Sequence, residues 1–294
     1  MVDSIDKALV IEFSDVVHAI AQQSVSRLKP YAKIIQMTGD TFAYDGLGRV
    51  EAKEISGRNV PVTFDNIEHT RRKMTRSRFA ITLPIDGSDV RGALMNPESK
   101  YAEQIAAAAV RQYDRVIYNA AFASVLTGRD FETTVSATTD GVLTVDATAG
   151  LTYEKLLEIR QNFMDNDVGI EHDERIFLTV TGAEHTRLMK EEELISSDFN
   201  RAFVIEKGQI KTAVGIELVG FAAGVSAPII PSVSSQRQLL AASSRGICLG
   251  ISKEMSIKIE QRPDLIETTQ VQVVFEIGAV RTEGALVQKV SVTA

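Results

Sequence analysis

The spacing of apolar positions changes along the chain, and each change marks an element. From Ile11 to Lys29, Phe13, Val16, Val17, Ile20, Val25 and Leu28 recur at roughly helical spacing. Pro30 ends that helix near Leu28, because the residue before a proline disfavours the helical conformation. Residues 1–40 read as an arm that packs on something else. Further on the period becomes two, at Val60, Val62 and Phe64 and again at Phe79, Ile81 and Leu83. This predicts two long strands joined by a turn between Asn66 and Thr70. A hairpin this polar lacks the apolar surface to fold alone, so it is expected to project and to need a partner.

Asn96-Pro97-Glu98 then supplies a helix cap, a first-position proline and an acidic first turn. No Gly or Pro follows until Gly128, and Ile105, Ala109, Gln112, Val116, Ala120 and Ala123 share a face. The spacing predicts a helix over 97–126, roughly 45 Å long at 1.5 Å per residue. Residues 130–150 are rich in Thr, Ala and Asp, with a turn at Asp140-Gly141, and read as a hairpin or an exposed connection. Thr152 opens a second helix through Met164, with Gly169 beyond its end. A short apolar strand at Arg175–Thr181 and a short helix at about Ala183–Leu194 follow. Strand-like runs come next at Ile216–Phe221 and Gln238–Ile251. These alternating elements form a compact α/β unit. The tail alternates at Met255, Ile257 and Ile259 and again from Val271 to Ala279, predicting two strands that each bury one face. A last strand is expected around Ala285–Val292.

Composition narrows the function classes. The chain has 294 residues, 44% of them hydrophobic, and a net charge of −7. That size and apolar content suit one or two globular domains. An acidic chain argues against a dedicated nucleic-acid binder. No apolar stretch is long enough for a membrane span, and the acidic start, Met1-Val2-Asp3, does not resemble a signal peptide, so a soluble intracellular product is expected. The one cysteine, Cys248, lies in an apolar run and reads as a small buried hydrophobe. No intrachain disulfide or cysteine zinc site can form, so the compartment is reducing or disulfides are not used.

Catalytic constellations are missing from the pattern. His172 in Glu171-His172-Asp173-Glu174 looks like a metal cluster, but consecutive residues do not converge on one point, and a solvated turn is the simpler reading. His185 lacks the His-Glu-x-x-His spacing, and no phosphate-binding glycine loop or Gly-x-Ser-x-Gly elbow occurs. Ser243-Ser244-Arg245-Gly246 reads as a turn. Glu191-Glu192-Glu193 is contiguous, so its carboxylates point around a helix and do not pair for acid–base work. The positive signal is the limb His69–Arg78, with Arg71, Arg72, Lys73, Arg76 and Arg78. Three readings stand for it: a solvated hairpin, a phosphate-contacting surface, or a docking element for an acidic surface of a neighbouring copy. The last is favoured, because a net-negative chain with a locally basic hairpin suits charge-complementary self-association.

The order of these pieces resembles the Hong Kong 97 fold of tailed-bacteriophage major capsid proteins. Local stretches carry the likeness: Leu151-Thr152-Tyr153-Glu154-Lys155-Leu156 with Asp167-Val168-Gly169 and Arg175-Ile176-Phe177-Leu178; Gly208 to Val219; and Phe275-Glu276-Ile277-Gly278-Ala279-Val280-Arg281. The resemblance implies an α+β fold: an N-terminal arm at 1–40, an E-loop hairpin at 41–85 and a compact α/β A-domain at 151–251. The remaining residues, 86–150 and 252–294, form a P-domain with a spine helix at 97–126. It implies a structural protein without cofactor or metal, whose copies form hexamers and pentamers of an icosahedral virion shell around double-stranded DNA. The basic limb, Arg71, Arg72, Lys73, Arg76 and Arg78, would then be an assembly interface.

The implied partners are a portal protein, cement or decoration proteins, and DNA through non-specific contact, with no membrane and with assembly in the host bacterial cytoplasm. A separate scaffolding protein is also expected, because the hairpin begins near residue 40 and leaves no room for a fused scaffolding segment. Some members cross-link subunits covalently. Lys53 and Lys73 lie in the hairpin region, but no catalytic Glu or partner Asn is identified, so that chemistry is not carried over. Two alternatives remain at this stage: an encapsulin-like nanocompartment shell and a soluble α/β enzyme.

Overall fold

The computed structural model describes residues 23–52, 54, 64, 66–85, 98–169, 174–191, 205–206, 209–224, 227–233, 235–262, 264 and 268–293. In chain order the strands are β1 (Lys33–Gln36), β2 (Thr41–Leu47), β3 (His69–Thr75), β4 (Ser77–Ile85), β5 (Val125–Thr127), β6 (Thr133–Val135) and β7 (Leu143–Ala147). Then come β8 (Ile176–Thr181), β9 (Ile205–Glu206), β10 (Gln209–Ile210), β11 (Thr212–Ala213), β12 (Ile216–Phe221) and β13 (Ser232–Val233). The last four are β14 (Gln236–Ser243), β15 (Ile247–Arg262), β16 (Thr268–Arg281) and β17 (Val287–Thr293). The helices are α1 (Glu98–Phe122), α2 (Tyr153–Met164) and α3 (Gly182–Leu188), with a 3-10 turn at Lys29–Tyr31.

The chain divides into two compact units, one of residues 1–25, 78–112 and 254–275, the other of 26–77, 113–253 and 276–294. The larger unit is built on a seven-stranded sheet in the order β11-β12-β8-β14-β17-β7, with β13 on β14. Every residue of β8 is buried, as befits a central strand covered on both faces. Leu156, Ile159 and Phe163 of α2 are fully buried in the same unit. This sheet draws strands from both sides of the boundaries at 150 and 251, since β7 and β17 pair in it beside β14 and β8. A four-stranded sheet, β2-β3-β5-β6, belongs to the same unit, and a further sheet runs β1-β15-β16-β4. In the smaller unit Ile105, Val271, Val273 and Phe275 are buried, and the Phe79 and Phe275 rings stack 5.4 Å apart.

Several expectations change in detail. The strand expected at Val60–Phe64, apart from Phe64, and most of the arm, residues 1–22, lie outside the described residues. So do the helix start at Asn96-Pro97 and the stretch Glu171-His172-Asp173. The turn expected between Asn66 and Thr70 is not there. His69 and Thr70 already belong to β3 and face Leu47 and Gly46 of β2. The long helix ends at Phe122, not Leu126, because Val125–Thr127 is drawn into the sheet between β3 and β6. Val125, 4% exposed, joins a core cluster with Met37, Met74, Cys248 and Val280.

The second half of the helix buries Tyr113, Asp114, Ile117, Tyr118 and Ala121, while Ala123, expected along one face of the helix, lies beyond its end and is exposed. The run Gln238–Ile251 is two strands, broken where Gly246 turns against Leu286; a Cβ there would lie 2.8 Å from the Leu286 carbonyl oxygen. Residues 131–147 are not a hairpin, since β6 pairs β5 and β7 pairs β17. The final correction concerns Met255, Ile257 and Ile259. They alternate as expected but do not face a core, being 38%, 44% and 49% exposed.

Candidate functional site

The basic limb forms β3, and the antiparallel register with β2 decides where its side chains go. Asp45 stands opposite Arg71. The pair is bidentate, Arg71 Nε to Asp45 Oδ1 at 2.7 Å and Nη2 to Oδ2 at 3.0 Å. Hydrogen bonding from Arg71 holds the Asp45 carboxyl below its usual range. Both side chains are exposed, so the pair adds little stability. Strand alternation sends the next residue to the opposite face. Arg72 is only 7% exposed and grips Asp140 with two bonds of 2.7 Å. Lys73 places its ammonium 5.8 Å from the Phe131 ring centre, a cation–π contact.

Arg76 occupies the single position between β3 and β4, where the chain leaves one sheet for another. Its guanidinium donates to Asp40 Oδ1 at 2.7 Å, Glu276 Oε2 at 2.6 Å and Ser252 Oγ at 3.1 Å. Its backbone N–H donates to the Asp40 carbonyl at 3.1 Å. The chain crosses tightly here, for a Cβ on Gly278 would sit 2.4 Å from the Thr75 carbonyl oxygen. Arg78 lies on β4 and is exposed. The five cations of the limb therefore do not form one surface. Arg71, Lys73, Arg76 and Arg78 retain exposure, and Arg72 is committed inside the subunit.

Asp140 is the centre of the arrangement. Arg281, 0% exposed, donates Nε to Asp140 Oδ2 at 2.7 Å. Its Nη1 donates to the carbonyls of Ala121 at 2.7 Å and Ala123 at 3.0 Å. Those carbonyls belong to the C-terminal end of α1, which has no basic residue in its own last turn. A helix leaves its last carbonyls unsatisfied and carries partial negative charge there. Arg281 supplies both the donors and the positive charge. Burial raises the Asp140 pKa, but the hydrogen bonds and charges of Arg72 and Arg281 outweigh it and hold the carboxyl below its ordinary value. Two guanidiniums share one carboxylate, and Arg72 Nε and Arg281 Nη2 remain without acceptors. The turn is held closely, since a Cβ on Gly284 would overlap the Asp140 carbonyl.

A second buried carboxylate fixes the foot of the arm. Asp114, 0% exposed, accepts from Ser26 Oγ at 2.5 Å and from the backbone N–H groups of Arg27 and Leu28 at 3.0 Å each. Leu28 is fully buried. Tyr31 packs on Phe177 at 4.7 Å between ring centres and donates to Glu217 at 2.5 Å. Burial, reinforced by Glu217, pushes the Tyr31 hydroxyl up to about 12. These groups hold backbone; none of them is arranged for proton transfer or nucleophilic attack.

The sequence had placed Asp140 in a turn and Arg281 in a terminal motif, and had not singled out Asp114. Asp114 carried one legible signal, a carboxylate on the apolar stripe of Tyr113, Ile117 and Ala121. Cys248 is the buried hydrophobe expected, its thiol pushed up to about 11 by burial. His185 accepts from the Ile210 N–H at 3.1 Å, and no group of metal-binding side chains forms among the described residues.

Comparison with known proteins gives this arrangement its context. No curated protein matches the chain by sequence. Solved structures match it over nearly their whole length. The Cyanophage Pam1 capsid subunit superposes with a TM-score of 0.74 at 14% identity, covering 100% of this chain and 99% of that one. The capsid protein of Helicobacter pylori bacteriophage KHP30 gives 0.72 at 10% identity, covering 100% and 98%. That of Cyanophage P-SCSP1u gives 0.72 at 11%, covering 98% and 94%. At these identities the likeness establishes the fold, α+β and Hong Kong 97-like. The family described as "Phage capsid protein" matches residues 5–293. With that match across both units, and with buried carboxylates that tie strands and helix together, this chain belongs to the phage capsid proteins, a family of structural proteins.

Proposed function

We propose that this chain is the major building block of a tailed-phage head. Its copies would form hexamers and pentamers and close into an icosahedral shell around double-stranded DNA. The observation that carries this reading is the family match from residue 5 to residue 293. The fold supports it.

Within this reading the exposed cations of the limb, Arg71, Lys73, Arg76 and Arg78, would dock on an acidic surface of a neighbouring copy, steering and registering the contact. Arg72 would contribute indirectly by fixing the strand that presents them. A portal protein, a separate scaffolding protein and cement proteins are the partners the reading entails. DNA would be touched without sequence preference, and assembly would occur in the host cytoplasm. Negative-stain microscopy of the purified chain tests the reading. Regular shells or capsomers are expected, and a chain that stays monomeric at all concentrations overturns it.

A further inference from the structure

The longest strand, β15, is partnered unevenly. Cys248–Ile251 pairs with β1 on one side, while β16 lies on the other. Beyond Ser252 no strand among the described residues lies on the side away from β16. The stretch Glu254–Arg262 alternates cleanly. Met255, Ile257 and Ile259 are 38%, 44% and 49% exposed on one face, and Glu254, Ser256, Lys258 and Glu260 occupy the other. An unpaired apolar edge is a template for another strand, and proteins that stay monomeric blunt such edges with proline, bulges or inward charges. From Lys253 to Arg262 there is no Pro or Gly, and from Glu254 to Arg262 the charges lie on the face opposite the apolar stripe, with Lys253 alone on the apolar side.

We propose that two copies of the chain pair through this edge, antiparallel about a two-fold axis that brings Ser256 opposite Ser256. The proposal rests on the capsid reading and names a contact within it. The register follows from charge. Directly opposite residues of an antiparallel pair share a face, so only registers that set apolar against apolar are admissible. Centring on Ser256 sets Glu254 of each copy opposite Lys258 of the other and Met255 opposite Ile257, with Lys253 at the margin lying along Ile259. Centring on Ile257 opposes Glu254 to Glu260, centring on Lys258 opposes two lysines, and centring on Ile259 spends Ile257 on Gln261. Centring on Lys258 also gives two opposite-charge pairs, Glu254 with Arg262, and two apolar pairs, Ile257 with Ile259, so the first register alone combines both kinds of pair without opposing like charges. A two-fold contact is isologous, so each favourable pair occurs twice. Lys258 already lies 3.6 Å from Glu260. That pair is exposed and weak, and it does not compete strongly for the lysine.

The test is a cross-link. Opposed Cα atoms in an antiparallel pair lie about 4.5–5.5 Å apart, within the reach of a disulfide. Ser256→Cys in the full chain, oxidised in assembled particles, is expected to run largely as a covalent dimer on non-reducing electrophoresis. Glu260→Cys is the control, for its two copies would be roughly 26 Å apart at 3.3 Å per residue. Cys248 is buried and adds no background. Shells in which Ser256→Cys stays monomeric overturn the pairing while leaving the capsid reading intact. Where no shell forms at all, the capsid reading fails, and the same cross-link in solution still decides the pairing.

A charge swap provides a second arm. Glu254→Lys is expected to lower particle yield at least tenfold with unchanged circular dichroism, and Glu254→Lys with Lys258→Glu to restore it. Wild-type yield from the single variant, or no rescue by the double, counts against the register.

Discussion

Arg281 and Asp140 join the end of the long helix to a turn that sequence distance alone would never bring to it. Nε lies 2.7 Å from Oδ2, with Arg72 closing the other side of the carboxylate. Removing one partner of a buried ion pair leaves an uncompensated charge and costs about 3–5 kcal/mol. Asp140→Ala strands two guanidiniums, so a loss at the upper end of that range is expected in urea unfolding. Arg281→Leu additionally exposes the carbonyls of Ala121 and Ala123 and should fray the last turn of α1, read as faster amide exchange there.

The same carboxylate makes stability fall in acid. Its folded pKa lies below the ordinary 3.8, so the stabilisation is complete above about pH 5 and is lost as pH drops through the folded value. Urea midpoints measured from pH 6 to pH 2 should therefore decline more steeply in the wild type than in Asp140→Asn. Parallel slopes would remove Asp140 as the source.

Val214 has φ 54°, a left-handed backbone that a β-branched residue adopts at a cost, and Gly215 beside it has φ 74°. Together they make the tight turn between β11 and β12, where Asn-Gly is the preferred pair. Val214→Asn is expected to stabilise the subunit by about 1 kcal/mol, raising the thermal midpoint by a few degrees.

Asp114 holds the chain at Ser26, Arg27 and Leu28. Asp114→Ala should release that segment before the rest of the subunit unfolds. Limited trypsin digestion is the measurement, with cleavage after Arg27 expected to accelerate several-fold while the remaining fragments stay protected. Unchanged digestion would show that Leu28 and Tyr31 alone secure the foot.

Much of the order of elements was legible because it rests on local pattern. The strand Ile216–Phe221, the helix Tyr153–Met164 and the terminal strands follow from spacing, caps and glycines. What misled was tertiary. Val125–Thr127 continues a helical composition, but Arg72 opposite Thr127 and the pairing of Val125 with Val135 draw it into a sheet. The alternation of Met255, Ile257 and Ile259 correctly signals a strand, yet alternation does not say whether the apolar face meets its own subunit. The limb from Arg71 to Arg78 read as one interface of five cations because composition carries no information about which strand face lies inward. Arg72 was separable only once the β2–β3 register and Asp140 were known.

The place of β17 carries a consequence for biosynthesis. It lies between β14 and β7, not at the rim, with Gln288 facing Leu143 and Val292 facing Ala147. Thr293 bonds back to Thr148 across 145 residues of chain. While the ribosome is still making that intervening length, β7 lacks β17, its strand neighbour among the described residues, and Asp140 waits equally for Arg281. The seven-stranded sheet cannot close co-translationally from its N-terminal side. Its completion is tied to release of the distal strand, which keeps a partly made subunit incompletely folded until then.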